Sequence, residues 1–169
     1  MNLPEPVLPE YAQRYVTLVQ KDKLPDALRK STKIFRKLLK HVPAKKRDYA
    51  YAPGKWTIRQ MLQHIIDSER VFAYRALSFA RRDPSALPSF DENSWATRMD
   101  VSGRDWDDMV TEFKQVRKAT EAMFASFTLD DLKATGQANN HTVSVAAIGY
   151  ICAGHLAHHT KILQERYLL

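Results

Sequence analysis

Two histidines four residues apart, His155 and His159, are the side chains of this sequence best placed to do chemistry. On a helix advancing about 100° per residue they fall within roughly 40° of each other. They lie inside an apolar stripe made by Ile148, Ile151, Cys152 and Ile162. Two imidazoles in that relation can aim at one ion, which is why an i, i+4 pair recurs in zinc-binding helices. Buried without partners, each ring would leave a hydrogen-bonding nitrogen unsatisfied, at a cost in stability. The competing reading is a pair of core histidines satisfied by Glu or backbone groups, because two ligands leave a tetrahedral ion short.

A third ligand can come from His64. It sits on the edge of an earlier apolar stripe (Ile58, Met61, Leu62, Ile65, Phe72), beside Ser68 and Arg75. That edge suits a position facing a neighbouring helix, where a boundary residue is the ordinary alternative. Glu69 falls near the centre of the same stripe, where an unpaired carboxylate is destabilising. Two explanations stand side by side: an ion pair with Arg117, or a general base or supporting partner beside a metal, its pKa set by burial. Asp67 points the other way and is expected in solvent. Cys152 lies one turn before His155; a buried structural thiol is its commoner role, a sulfur ligand the rarer one. His158 flanks the stripe as a supporting or surface residue, and His41 and His141 fall at helix ends or turns. Three neutral imidazoles would leave one to three positions on an ion for water or substrate, the mark of a catalytic site.

Four helical segments must position these groups. Apolar residues recur at helical spacing from about Leu24 to Leu39, Thr57 to Arg81, Asp105 to Phe127 and Ser144 to Tyr167. Pro43 stops the first. Thr57 and Gln60 give the second a capping box, and Asp83-Pro84 ends it. A short helix is expected after Thr128. No segment shows convincing strand alternation. The expected fold is an all-α antiparallel four-helix bundle in one domain, residues 1–169, whose first ~20 residues pack on the bundle as an extension. A link of about twenty residues between the second and third helices makes a long crossover, too long to be a plain turn. It carries Phe90, Asp91, Glu92 and Trp95, and Phe90, Trp95 and Arg75 are expected to wall a pocket.

With 169 residues the chain is long enough to bury roughly two thirds of its unfolded surface, so no metal is needed merely to fold it. One cysteine excludes an intrachain disulfide and fits a reducing compartment. Met1–Pro6 lacks the basic and apolar regions of a signal peptide, and no apolar run approaches ~18 residues. A cytoplasmic protein with no membrane span is expected. The net charge of +7 permits attraction of anions, but the basic residues are scattered, so nucleic acid is an unlikely partner.

Taken in order, Tyr51-Ala-Pro-Gly-Lys-Trp-Thr-Ile-Arg-Gln, His64-Ile-Ile-Asp-Ser-Glu-Arg, Leu87-Pro-Ser-Phe-Asp-Glu-Asn-Ser-Trp95 and Gly154-His-Leu-Ala-His-His resemble the DinB-like superfamily, with the nearest similarity to its YfiT-related branch. The resemblance runs from the Tyr11 region to Tyr167. It implies a four-helix bundle with the long crossover, a homodimer, and one nickel, zinc or similar divalent ion on His64, His155 and His159. It also implies a split in activity. Some relatives are transferases or isomerases dependent on a low-molecular-weight thiol, others are metal-dependent hydrolases, and many have no known activity. The expectation is therefore a divalent-metal-dependent enzyme transferring a small thiol to an electrophilic small-molecule substrate. Arg75 is its candidate cofactor-binding residue, and Glu69 is the candidate catalytic base of the hydrolytic alternative. The alternatives are hydrolysis of an amide or ester, and a stress-induced metal-binding dimer without turnover.

Overall fold

A computed structural model describes residues 6–168; the reading of Met1–Glu5 lies outside the described residues. The elements in chain order are α1 (Glu10–Val16), α2 (Leu24–Leu39), α3 (Ile58–Ala80), α4 (Glu92–Arg98), α5 (Trp106–Ser126), α6 (Leu129–Lys133), β1 (Thr135–Ala138), β2 (His141–Ser144) and α7 (Val145–Ile162), which runs into a wider π-type turn at Leu163–Tyr167. The protein is a four-helix bundle of α2, α3, α5 and α7.

Helix starts follow local chemistry. The Thr57 hydroxyl accepts from the Gln60 backbone N–H while the Gln60 side chain accepts from the Thr57 N–H, closing the expected capping box. Asp105 and Ser144 accept from backbone N–H groups in the first turns of α5 and α7.

Helix direction can be read from paired contacts. Thr32 meets Glu121 and Phe35 meets Phe113, so α2 and α5 are antiparallel. His64 lies against His159 and Phe72 against His155, so α3 and α7 are antiparallel as well. Arg59 reaches the Arg104 carbonyl, Arg70 reaches Glu112 and Arg117 reaches Glu69, which makes α3 and α5 parallel. Leu24 touches Gly149, and Arg117 bridges the Leu28 and Cys152 carbonyls, so α2 and α7 are parallel too. The antiparallel expectation thus holds at two seams of four. The long link after α3 returns the chain so that α5 can start beside the beginning of α3, and α4 forms within it.

One element departs from expectation. β1 and β2 form an antiparallel hairpin, with Thr135 opposite Ser144 and Ala138 opposite His141. Asn139 and Asn140 make its two-residue turn at φ 52° and 59°, the left-handed backbone that asparagine tolerates. Four-residue strands are too short to alternate visibly, so the Asn-Asn pair was the available signal. The hairpin also anchors the crossover, because the Leu87 N–H donates to the Gln137 carbonyl at 2.9 Å.

Two apolar clusters fill the bundle, one around Leu28, Phe79, Phe124 and Ile148, the other around Phe35, Ile65, Phe113 and Leu163. Between them each bundle helix contributes a buried polar residue at the same level: Ser31, Glu69, Arg117 and His155. At this level α1 closes against α7. A Cβ on Gly154 would lie 2.1 Å from the Tyr15 carbonyl oxygen, so only glycine permits the approach.

Candidate metal centre

His64 projects from α3 toward His155 and His159, which project from α7 one turn apart. All three are buried, with relative exposures of 7%, 5% and 7%. His155 Nε2 lies 3.0 Å from His64 Nε2 and 3.1 Å from His159 Nε2. All three residues offer a ligating atom within 4.8 Å of one another. Nitrogens held at about 2.0–2.1 Å from one ion lie about 2.9–3.4 Å apart at angles of about 90–110°. Two of the three nitrogen pairs meet that spacing, and the third lies within 4.8 Å.

Its hydrogen bonding leads to the same fit. A neutral imidazole Nε2 carries either one proton or one lone pair. His155 Nε2 therefore makes a full hydrogen bond to only one of its two close nitrogen neighbours, which leaves the other contact weak or repulsive. A cation that takes all three lone pairs removes the conflict. The rings are held neutral by their surroundings. Burial pushes His64 down to about 4, and burial followed by the neighbouring histidines drives His155 well below its usual value. His159 is driven down by burial, then by His64 and His158.

The surroundings fix the rings. Trp56 packs on His64 at a centroid distance of 4.6 Å, Phe72 meets His155 edge-on at 5.6 Å, and Tyr15 covers His155 at 5.5 Å. Ser68 lies 3.4 Å from His64 Nδ1, while His159 Nδ1 is buried with no partner among the described residues.

The triad opens onto a cavity of about 280 Å³. Arg14, Arg75 and His158 line it, and Glu92 is the one carboxylate among its described lining residues. Arg75 is buried, donates from Nη2 to the Pro88 carbonyl at 2.6 Å and lies 5.7 Å from the Phe90 ring centre. It thus pins the crossover to the site while bordering the cavity. Phe90 lines the cavity as expected. Trp95 does not: it meets the Phe90 ring at a tilt, 5.0 Å between centres, and is exposed.

Glu69 is elsewhere. Both of its carboxylate oxygens accept from Arg117 Nη1, at 2.9 and 2.8 Å, in the bundle interior. The same guanidinium donates to Thr32 and Ser31, each at 2.9 Å, and more weakly to the Leu28 and Cys152 carbonyls. Glu69 is thus held in the ion pair with Arg117, the first of its two explanations, and is not among the residues that line the cavity. Cys152 is likewise outside the histidine group, and burial, reinforced by Glu69, raises its thiol well above the usual value. Asp67 is half-buried rather than solvated, and accepts from Gln63 at 2.8 Å. His158 is half-buried on the cavity wall against Tyr15; His41 and His141 are exposed and do not line the cavity, though the His141 ring meets Tyr11 of its wall at 5.6 Å.

Sequence reasoning missed Arg14, Tyr15 and Trp56 as wall residues. Trp56 was visible only within a motif, and the two α1 residues carry no local signal, since only packing brings α1 over α7.

Comparison with known proteins agrees with this architecture. The sequence matches the DinB superfamily profile over residues 27–163. The chain belongs to the DinB superfamily. Similar proteins include one from Bacillus cereus (strain 03BB102), 31% identical over 127 residues, covering 73% of this chain and 72% of the relative. Another, from Bacillus cereus (strain AH820), is 32% identical over 130 residues, with the same coverage. Both carry the provisional name metal-dependent hydrolase. Among solved structures, YfiT from Bacillus subtilis superposes with a TM-score of 0.68 at 17% identity, covering 98% of this chain and 90% of that one. YfiT is provisionally described as a metal-dependent hydrolase with an unusual four-helix bundle topology. A mycothiol-dependent maleylpyruvate isomerase superposes at 0.65 with 10% identity, covering 91% and 60%. These two likenesses concern the fold. Among the described residues, no helix is long and apolar enough to cross a membrane.

Proposed function

We propose that this DinB-superfamily protein is a divalent-metal-dependent enzyme acting on a small anionic substrate, with His64, His155 and His159 as the ligands. The carrying observation is the convergence of three neutral imidazoles, with His155 Nε2 at 3.0 and 3.1 Å from the other two Nε2 atoms, on the wall of an open, largely basic cavity. A divalent ion there supplies a Lewis acid that lowers the pKa of a bound thiol or water toward neutrality. The chain's own residues do the rest. Arg14 and Arg75 attract and orient an anionic group, Phe72 and Tyr15 exclude water from the imidazoles, and Trp56 holds the His64 ring.

The preferred nucleophile is a low-molecular-weight thiol transferred to an electrophile. Water activation ordinarily uses a carboxylate base close to the ion, and here Glu69 is committed to Arg117 while Glu92 is exposed on α4. A thiol needs no such base, because coordination by itself favours the thiolate. Hydrolysis of an amide or ester is the second reading, favoured by the names of the relatives at 31–32% identity.

Elemental analysis of the purified protein and of its His64→Ala, His155→Ala and His159→Ala variants tests the ligand set. One equivalent of nickel, zinc or a similar ion is expected in the parent and little in each variant. Metal-loaded protein is then mixed with glutathione, bacillithiol, mycothiol or coenzyme A and a chloro- or epoxide electrophile. Metal-dependent thioether formation supports thiol transfer; its absence with every thiol, alongside ester cleavage, moves the assignment to hydrolysis.

A further inference from the structure

The histidine centre has a second neighbour on its far side. Behind Trp56 lies a separate cavity of about 210 Å³, and His159 and Trp56 border both spaces. The two differ in chemistry. The first is ringed by Arg14, Arg75 and His158; the second is walled by Tyr51, Trp56, Tyr167, Met61 and Ile162, with Lys55 and Asn93 among its polar borders. Helix α4 separates them, since its first residue, Glu92, lines the basic cavity and its second, Asn93, lines the aromatic one.

The aromatic wall is built rather than incidental. Tyr167 Oη donates to the Trp56 carbonyl at 2.7 Å and so ties the end of the chain to the loop before α3. Tyr51 and Tyr49 meet the Tyr167 ring edge-on at 4.9 and 6.3 Å. Burial, then the two neighbouring tyrosines, pushes the Tyr167 hydroxyl up to about 12, which keeps it a donor at any ordinary pH. The loop carrying Tyr51 and Trp56 turns at Gly54, at φ 73°, a backbone that favours glycine.

We propose that this second chamber is a binding subsite for the aromatic or other flat apolar group of a substrate, seated between Tyr51, Trp56 and Tyr167 within reach of the histidine centre. The proposal rests on the enzyme reading above and adds a substrate class to it. Rings prefer edge-to-face or offset contact with other rings, and three aromatic walls offer it from several directions. Size agrees: an apolar cavity of about 150 Å³ accepts benzene, so the larger space here takes one substituted ring. Asn93 and Lys55 provide for a polar substituent at the border. Anionic and aromatic parts would then enter from opposite sides of Trp56 and meet at His159.

Ligand-observed saturation-transfer NMR with benzyl alcohol as the probe tests this on the whole protein. Millimolar benzyl alcohol is expected to receive saturation from the wild type and from Arg14→Met, an exposed position that lines the basic cavity and not the aromatic one. Asn93→Trp, an exposed position whose new ring fills the aromatic space, is expected to lose at least about 80% of the signal, as a blocked pocket requires. Equal signals from wild type and Asn93→Trp overturn the subsite, as does no signal from the wild type. The probe needs neither metal nor turnover. A failure of the enzyme reading would therefore show as missing metal or missing catalysis with this signal intact, whereas a failure of the subsite would remove the signal and leave the metal content unchanged.

Discussion

Removing the cation beneath the site should cost more than any other single polar change in the bundle. In Arg117→Met the Glu69 carboxylate, 5% exposed, loses both hydrogen bonds to the cation that pairs with it and is left charged in the interior. Ser31 and Thr32 lose their donor, as do the Leu28 and Cys152 carbonyls. Breaking a buried pair from one side costs about 3–5 kcal/mol, mostly from the stranded charge. For a chain of this length each kcal/mol shifts Tm by about 2–4 °C, so a fall of about 6–20 °C is expected. Thermal denaturation followed by circular dichroism, at neutral pH on metal-free protein, measures it. Adding Glu69→Leu to Arg117→Met removes the stranded charge, and the double variant should recover at least half the loss. The reasoning fails if Arg117→Met shifts Tm by less than about 2 °C, or if the double variant is worse than the sum of the two singles. It also separates the roles of Glu69: a structural partner moves Tm without changing the pH profile of any turnover, whereas a general base would change that profile.

Other consequences follow from particular contacts. Because His64 is pushed down to about 4 from 6.5, the native state holds fewer protons than the unfolded chain in that window. Metal-free stability should therefore be full above pH 6.5 and fall as pH drops toward 4, by about 3 kcal/mol from this group; urea titrations across pH 4–7 that show no decline refute it. Since all three imidazoles are already neutral at pH 7, metal uptake there should release almost no protons from them, and calorimetry in buffers of different ionisation enthalpy that reports more than the single proton a metal-bound water can lose contradicts this. Gly154→Ala would set a Cβ 2.1 Å from the Tyr15 carbonyl oxygen, so α1 should shift away at a cost of about 1–3 kcal/mol. Faster limited proteolysis within residues 10–20 is the expected readout, and an unchanged cleavage rate and Tm argue against that close approach. Arg75→Met should raise KM for an anionic substrate while leaving metal content unchanged; equal KM values would show that Arg75 serves only to pin the crossover at Pro88.

The amino-acid sequence by itself determined the four bundle helices, because their apolar spacing, capping residues and proline stops are local and periodic. It also determined which histidines were worth watching, since the His155–His159 spacing is a helical fact that needs no partner. What it left open were matters of convergence. Whether Glu69 served a metal or Arg117 depended on which helix lay across from α3 at that level, and the two carry the same signature along the chain. Helix direction was open for the same reason: hydrophobic periodicity says which face is buried but not whether the neighbour runs up or down. The hairpin escaped because four-residue strands give too few positions for alternation, so apart from the Asn-Asn turn only the pairing of β1 with β2 makes the segment visible. The cavity walls from α1 and the aromatic chamber behind Trp56 bring together residues more than a hundred positions apart. No spacing rule reaches that far, and only the packed bundle decides it.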